Sequence, residues 1–209
     1  MLFVPADRPD RMHKAMATTA DALILDLEDA VAPAAKPAAR EEAARFLGEG
    51  NHPKPVFVRV NPLDSGLTGD DLSIVAAARP SGYLLPKTRD GGSVRELAAL
   101  LDRAGDSEAK IIPIASETPQ AVFGLGSYAG SSERLVGLSW GAEDLPAAIG
   151  ATSAREADGR LTPVYEVVRT LALMGAHAAG VLAIETVFPA FRDTDGLTAW
   201  AGRARRDGF

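Results

Sequence analysis

Cysteine is absent from the 209 residues. Disulfides, thiolate metal sites and a cysteine nucleophile are therefore excluded, and the chemistry must be carried by oxygen and nitrogen groups. The absence is also compatible with a reducing compartment. Histidine is nearly as scarce: His13, His52 and His177 fall on predicted helices or in a loop, without the neighbours of an imidazole metal site. All three are read as ordinary residues. No apolar run approaches the roughly 18 residues that a membrane span needs. The opening MLFVPADRPDR is too short in its apolar part, and carries no basic leader, for a signal peptide. A soluble, cytoplasmic protein with no membrane partner is expected. The formal net charge of -6 works against a nucleic-acid partner. The densest basic cluster, Arg203, Arg205 and Arg206, lies beside Asp207 and reads as a solvated helix face. Neither GxGxxG nor GxxxxGK[ST] follows any predicted strand, so a nucleotide-binding open sheet is disfavoured.

What is present is a regular alternation. With 46% hydrophobic and 24% charged residues, the composition is that of an ordinary globular chain, long enough for one sizeable core. Seven short apolar runs occupy 1–5, 22–27, 56–60 (VFVRV), 82–86 (GYLLP), 110–115, 135–140 and 180–187 (GVLAIETV). Several are rich in Leu and Ile without alternation, as suits strands buried on both faces. Helices are expected from Pro9 to about Thr19 and over 37–47, 70–78, 93–104, 119–130, 165–179 and 197–207. Pro9 suits a first helical turn and Asp10 the helix dipole; Met12 and Met16 have helical spacing and read as core packing. Seven strand–helix units predict an α/β fold with a parallel sheet in one domain. A (β/α)8 barrel takes eight units in about 250 residues. Either the sequence lacks its end, or a barrel closes in another way.

Three of the apolar runs end in acid: LILDLED (23–29), IIPIASE (111–117) and LVGLSWGAED (135–144). The ends of parallel strands are where α/β folds place their sites, and Asp7, Glu28, Asp29, Arg59, Asn61, Lys87, Glu117, Glu143 and Asp144 all follow strand runs. An ion held there would be held by oxygen, and carboxylates with water suit Mg²⁺ or Mn²⁺. Glu117 and Asp144 come from successive strand ends, with Glu28 and Asp29 placed to act through waters. Arg59 suits a bidentate grip on a substrate carboxylate, or else pairs with a strand-end acid. Lys87 is open between a Schiff-base lysine, which needs a depressed pKa, and a structural ion pair.

Together these residues carry a resemblance. The stretches FVPADRPDR, LDLEDAV with the following AAKPAAR, VRVNP, LLPKT, SET (116–118), WGAEDL, GATSAREADG and FRDTDGL resemble the citrate lyase beta-subunit family. That family is related to malyl-CoA and citramalyl-CoA lyases within the phosphoenolpyruvate/pyruvate superfamily. The resemblance covers nearly the whole chain. It implies a Mg²⁺-dependent TIM barrel that makes or breaks a carbon–carbon bond beside an acyl thioester. It makes Glu117 and Asp144 the direct metal ligands, gives Glu28 and Asp29 the metal-bound water, and gives Arg59 the 2-oxo acid. Arg8 (with Asp7), Lys36 and Arg40 would lie near a thioester cofactor, and Gly141 and Ala142, after Ser139, would allow close approach of substrate. It also implies a homo-oligomer, a trimer or hexamer, with coenzyme A or an acyl-carrier protein bearing the thioester.

Three departures accompany it. The family's IDTV in strand seven is Ile184-Glu185-Thr186-Val187 here, an acid kept but lengthened. Its YAR becomes Val167-Val168-Arg169, keeping only the arginine. The family also continues beyond Gly208-Phe209 into an eighth strand and a C-terminal segment that brings an aspartate to a neighbouring subunit. A TIM-barrel domain over 1–209 lacking those parts is the resulting expectation. The activity expected is retro-Claisen cleavage of a citryl-type thioester to an oxo acid such as oxaloacetate and an acetyl thioester. A class II aldolase acting on free 2-oxo acids, and a non-catalytic oxo-acid-binding protein, are the alternatives.

Overall fold

Short strands and helices alternate along the computed structural model, which describes residues 1–50 and 52–209. Strands β1 (Leu2–Pro5), β2 (Leu23–Asp26), β3 (Val56–Arg59), β4 (Gly82–Leu85) and β5 (Lys110–Pro113) form a sheet in that spatial order. Strands β6 (Gly137–Ser139) and β7 (Leu182–Ile184) form a second sheet. The pairings β1–β2, β2–β3, β3–β4 and β6–β7 are all parallel. The helices are α1 (Pro9–Met16), α2 (Lys36–Gly48), α3 (Thr68–Val75), α4 (Gly91–Arg103), α5 (Pro119–Gly124), α6 (Leu145–Ile149), α7 (Pro163–Ala178) and α8 (Thr194–Asp207). The α/β class follows from the alternation, as expected. Ladders among the described residues extend over five and two strands and do not by themselves close a ring of eight. No helix among the described residues is long and apolar enough to cross a membrane.

The chain divides into two compact units, residues 1–86 with 93–112, and residues 87–92 with 113–209. In the first, every residue of β2 and β4 is buried. This is the signature of strands covered on both faces, and it explains why these runs are continuously apolar. Leu23, Leu25, Val58, Leu85, Leu97 and Leu101 are fully enclosed. Gly82 opens β4 because a Cβ there would lie 2.4 Å from the Lys110 carbonyl oxygen; no side chain fits so close an approach. In the second unit Trp140, Tyr128 and Tyr165 are the large enclosed side chains. Burial of the Tyr128 ring raises its phenol pKa above the ordinary value.

The observed strands are shorter than the apolar runs that predict them, although Leu27, Val60 and Ala115 at the run ends still donate to the neighbouring strand. The helix expected over 119–130 is α5 followed by a 3-10 turn at Leu125–Ser127. Thr118 caps α5 by accepting from the Ala121 N–H at 3.2 Å. Helix α8 starts three residues earlier than expected, since Asp193 caps it through Gly196 N–H. The histidines are structural: His52 stacks on Phe46 with centroids 4.7 Å apart, and His177 pairs with the Gly208 carbonyl.

A buried polar network ties α2 and α3 to the ends of β2 and β3. The Lys36 ammonium donates to the carbonyls of Leu27 and Glu28 and to Asn61 Oδ1, at 2.7, 2.8 and 2.7 Å. Asp71 accepts from Asn61 N and Nδ2 with one oxygen and from Arg40 Nε with the other. Burial lowers the Lys36 pKa, partly opposed by Asp71, Asp26 and Glu28. Removing one member of such a set strands the opposite charge. Asp71→Ala should therefore reduce the unfolding free energy by about 3–5 kcal/mol in urea titration. A loss below about 1 kcal/mol, the range of an ordinary surface pair, would show that Arg40 finds another partner.

Candidate functional site

In the first unit the strand register does the placing. Asp26 at the end of β2 lies opposite Arg59 at the end of β3. The two form a bidentate pair, Nε to Oδ1 at 2.7 Å and Nη2 to Oδ2 at 2.6 Å. Glu28 Oε2 approaches Arg59 Nη1 to 2.8 Å and Asp29 Oδ2 lies 3.8 Å from it. The Phe3 ring lies under the guanidinium, 5.1 Å away. Asp26 also accepts from the N–H groups of Glu28 and Ala30, which fixes the turn carrying the two acids. Burial opposes the charge on Arg59, yet hydrogen bonding and attraction from Asp26, with Glu28 and Asp29, raise its pKa above the ordinary arginine value. An arginine held this way is a permanent, pre-oriented cation, suited to a planar carboxylate with little further loss of side-chain freedom.

Sequence reasoning offered Arg59 two partners, and the pairing with acids is observed. It missed Asp26, which sits in the same LDLED motif, two residues ahead of Glu28. The signal was there: an aspartate closing an otherwise apolar strand that is buried on both faces needs a cation. Lys36 and Arg40, expected near a thioester cofactor, are buried in the internal network, with the three Lys36 contacts all to protein oxygens. Arg8 is exposed at the start of α1, 3.6 Å from Asp7.

In the second unit a backbone amide and a close glycine flank Glu117. Glu117 is buried, and its Oε2 accepts from the Lys87 N–H. Lys87 reaches that position with a left-handed backbone, φ 51°, a costly conformation for a residue with a side chain. Lys87 offers Glu117 its amide. Ser116 is fully enclosed; its hydroxyl accepts from Gly141 N–H at 3.1 Å and lies 3.3 Å from the Gly141 carbonyl. A Cβ on Gly141 would fall 2.9 Å from Glu117 Cγ. The small residue is required, and the WGAED turn is thereby laid against Glu117. Ala142 is buried beside it, and Glu143 is exposed.

Asp144 is half-buried and precedes α6, but its side chain does not cap that helix. Its carboxylate has no hydrogen-bond or ion partner among the described residues. A half-buried carboxylate without a partner, in a turn laid against a second, buried carboxylate, is a donor set that fits a hard divalent cation. No group of three or more His, Asp or Glu converges as a metal cluster among the described residues. An ion at Glu117 and Asp144 would keep waters or take substrate oxygens, which is the habit of Mg²⁺.

The family model for HpcH/HpaI aldolase/citrate lyase matches residues 1–209. The chain belongs to that family. It is 38% identical over 208 residues to the citrate lyase subunit beta-like protein of Mycobacterium tuberculosis, covering 100% of this chain and 71% of that one. It is 30% identical over 215 residues to a (3S)-malyl-CoA thioesterase of Cereibacter sphaeroides, covering 70% of it. Among solved structures, a citrate lyase beta subunit from M. tuberculosis complexed with oxaloacetate and magnesium superposes with a TM-score of 0.86 at 37% identity. That match covers 100% of this chain and 86% of that chain. The CitE protein of the same organism with magnesium, acetoacetate and coenzyme A superposes at 0.87 and 36% identity, with 72% of that chain covered.

Gly141→Ala tests the close approach. The new methyl must push Glu117 off its position, so Mn²⁺ affinity, read by electron paramagnetic resonance titration, should fall by about tenfold, the lower end for a disturbed metal-ligand support. The urea midpoint should move little, and unchanged affinity would mean that Glu117 adjusts freely.

Proposed function

We propose that this family member is a Mg²⁺-dependent carbon–carbon lyase. It would cleave a 3-hydroxy-acyl thioester of the citryl type to a 2-oxo acid such as oxaloacetate and an acetyl thioester, and run the reverse reaction where concentrations favour it. The observation that carries this reading is the unpartnered Asp144 in the turn laid against buried Glu117. Related proteins with magnesium and oxaloacetate, and with magnesium, acetoacetate and coenzyme A, support it.

Glu117 and Asp144 would hold the ion. When bound, Mg²⁺ would supply Lewis-acid polarisation of the substrate's carboxylate and hydroxyl oxygens, a contribution of several kcal/mol in such sites. Arg59, already charged and oriented by Asp26, would bind the carboxylate of the 2-oxo acid portion and offset charge there as the bond breaks. Glu28 and Asp29 would order water near the hydroxyl, whose proton must leave as the carbonyl forms. The electron pair of the broken bond passes to the α-carbon of the acetyl thioester, which then takes up a proton. Gly141 and Ala142 present no side-chain bulk to the substrate. Lys36 and Arg40 act one step back, fixing the turn that carries Glu28.

A hydrolytic reading has its own support in the malyl-CoA thioesterase relative. Thioester hydrolysis releases a free thiol and an intact hydroxy acid; carbon–carbon cleavage releases an oxo acid and leaves the thioester whole. Incubation with citryl-, citramalyl- and malyl-CoA, with Mg²⁺ or with chelator, should yield oxo acid without free thiol, and only with metal. Thiol release without oxo acid would replace the lyase reading with the hydrolytic one. Glu117→Gln and Asp144→Asn should each lower turnover by roughly 100-fold or more, the rate equivalent of a few kcal/mol of metal stabilisation. Full activity in either variant overturns the ligand assignment. Binding of coenzyme A alone, read as a rise in melting temperature, separates the thioester enzyme from an aldolase acting on free oxo acids.

A further inference from the structure

The acid that follows β7 is engaged by three protein groups. Glu185 accepts from the Trp140 indole N–H through Oε1 at 2.6 Å and from Arg169 Nε through Oε2 at 2.6 Å. The Thr186 N–H adds a third bond at 2.9 Å. Arg169 on α7 is buried, donates a second bond to Asp207 at 2.6 Å, and lies over the Phe209 ring at 4.6 Å. Trp140 is 1% exposed and immediately precedes Gly141. The Trp140–Gly141 pivot is thus clamped twice: its indole by Glu185, its backbone by Ser116. Glu117 follows one clamp directly, and Asp144 lies at the end of the turn that leaves the other.

We infer that Glu185 is a positioning residue for the Glu117–Asp144 pair, acting through the Trp140 indole, with Arg169 holding it aligned. This rests on the reading of Glu117 and Asp144 as metal ligands. The length of the side chain matters. Glu185 presents one oxygen to the indole and one to the guanidinium, so it bridges α7 and the WGAED turn with a single carboxylate. A carboxylate with both oxygens satisfied is rigid, and that rigidity passes to a turn whose acidic end has no partner of its own.

The test uses changes away from the ligands, made in the full chain. Trp140→Phe keeps one aromatic ring and deletes the N–H with part of the indole's volume; Glu185→Gln is the near-isosteric change. In Glu185→Gln one end of the side chain becomes a donor; the Arg169 charge claims the amide oxygen, and the indole is left facing an N–H group. Each variant should weaken Mn²⁺ binding, measured well below the melting temperature, by roughly tenfold. If the effect passes through the indole bond, the double variant should be no weaker than the weaker single one. In the metal-free protein, amides of residues 141–145 should exchange faster in both variants, as expected of a turn that has lost its anchor. Unchanged exchange at 141–145, or affinity losses that multiply in the double variant, would overturn the inference. Should Trp140→Phe fail to fold, Glu185→Gln alone decides by the same two readings. If Glu117→Gln and Asp144→Asn keep full Mn²⁺ affinity, the metal assignment fails instead, and the exchange measurement still decides whether Glu185 anchors the turn.

Discussion

The Asp26–Arg59 pair is the interaction on which the first unit's polar architecture turns. Strand β2, covered on both faces, and β3, half-buried at alternate residues, end in opposite charges at the same register position. A slip of one residue between β2 and β3 would carry every side chain of one strand to the wrong face and would also leave a buried aspartate and a buried arginine apart. Buried ion pairs contribute uncertainly to stability, because the loss of hydration offsets the attraction. What this one does contribute is orientation. It presents Arg59 in one geometry, and through the Asp26 bonds to Glu28 and Ala30 it shapes the turn that holds the remaining acids.

Cations hold carboxylates in both units: Arg59 for Asp26 and Glu28 and Arg40 for Asp71 in the first, with Lys36 fastening the carbonyls of the same turn, and Arg169 for Glu185 in the second. Glu117 takes the Lys87 amide and lies against Gly141, and Ser116 fastens the neighbouring turn. This engagement has a chemical consequence. Carboxylates already matched by guanidinium groups make poor ligands for a cation, since the ion would have to displace a charge-assisted bond. Asp144, without a partner, has no such competitor. Within its own unit, Asp144 stays open to a cation, while Arg59 is oriented by Asp26.

Membership in the HpcH/HpaI aldolase/citrate lyase family agrees with this chemistry and also shows how a shared motif mixes roles. AAKPAAR carries two basic residues that look as though they await an anionic cofactor. In the folded chain they are internal fasteners. The two departures within the chain, the lengthened acid at 185 and the arginine kept at 169, prove to be partners of one another. Neither would stand out as a pair from 16 residues of separation along the chain.

The sequence alone determined the order of strands and helices, because continuous apolar runs between helical stretches report burial on both faces locally. It also determined which strand ends carry acid, since a charged residue closing such a run has to emerge there. Arg59, Glu117 and Asp144 were legible for that reason. The tertiary structure decided what each charge is matched with. Asp26 against Arg59, Lys36 on Asn61, the Lys87 amide on Glu117 and Glu185 bridging Trp140 and Arg169 are all contacts between segments distant in sequence. Pairing of this kind depends on strand register, backbone conformation and side-chain reach, none of which leaves a local pattern. It was this pairing that singled out Asp144 as the half-buried acid without a partner in the WGAED turn.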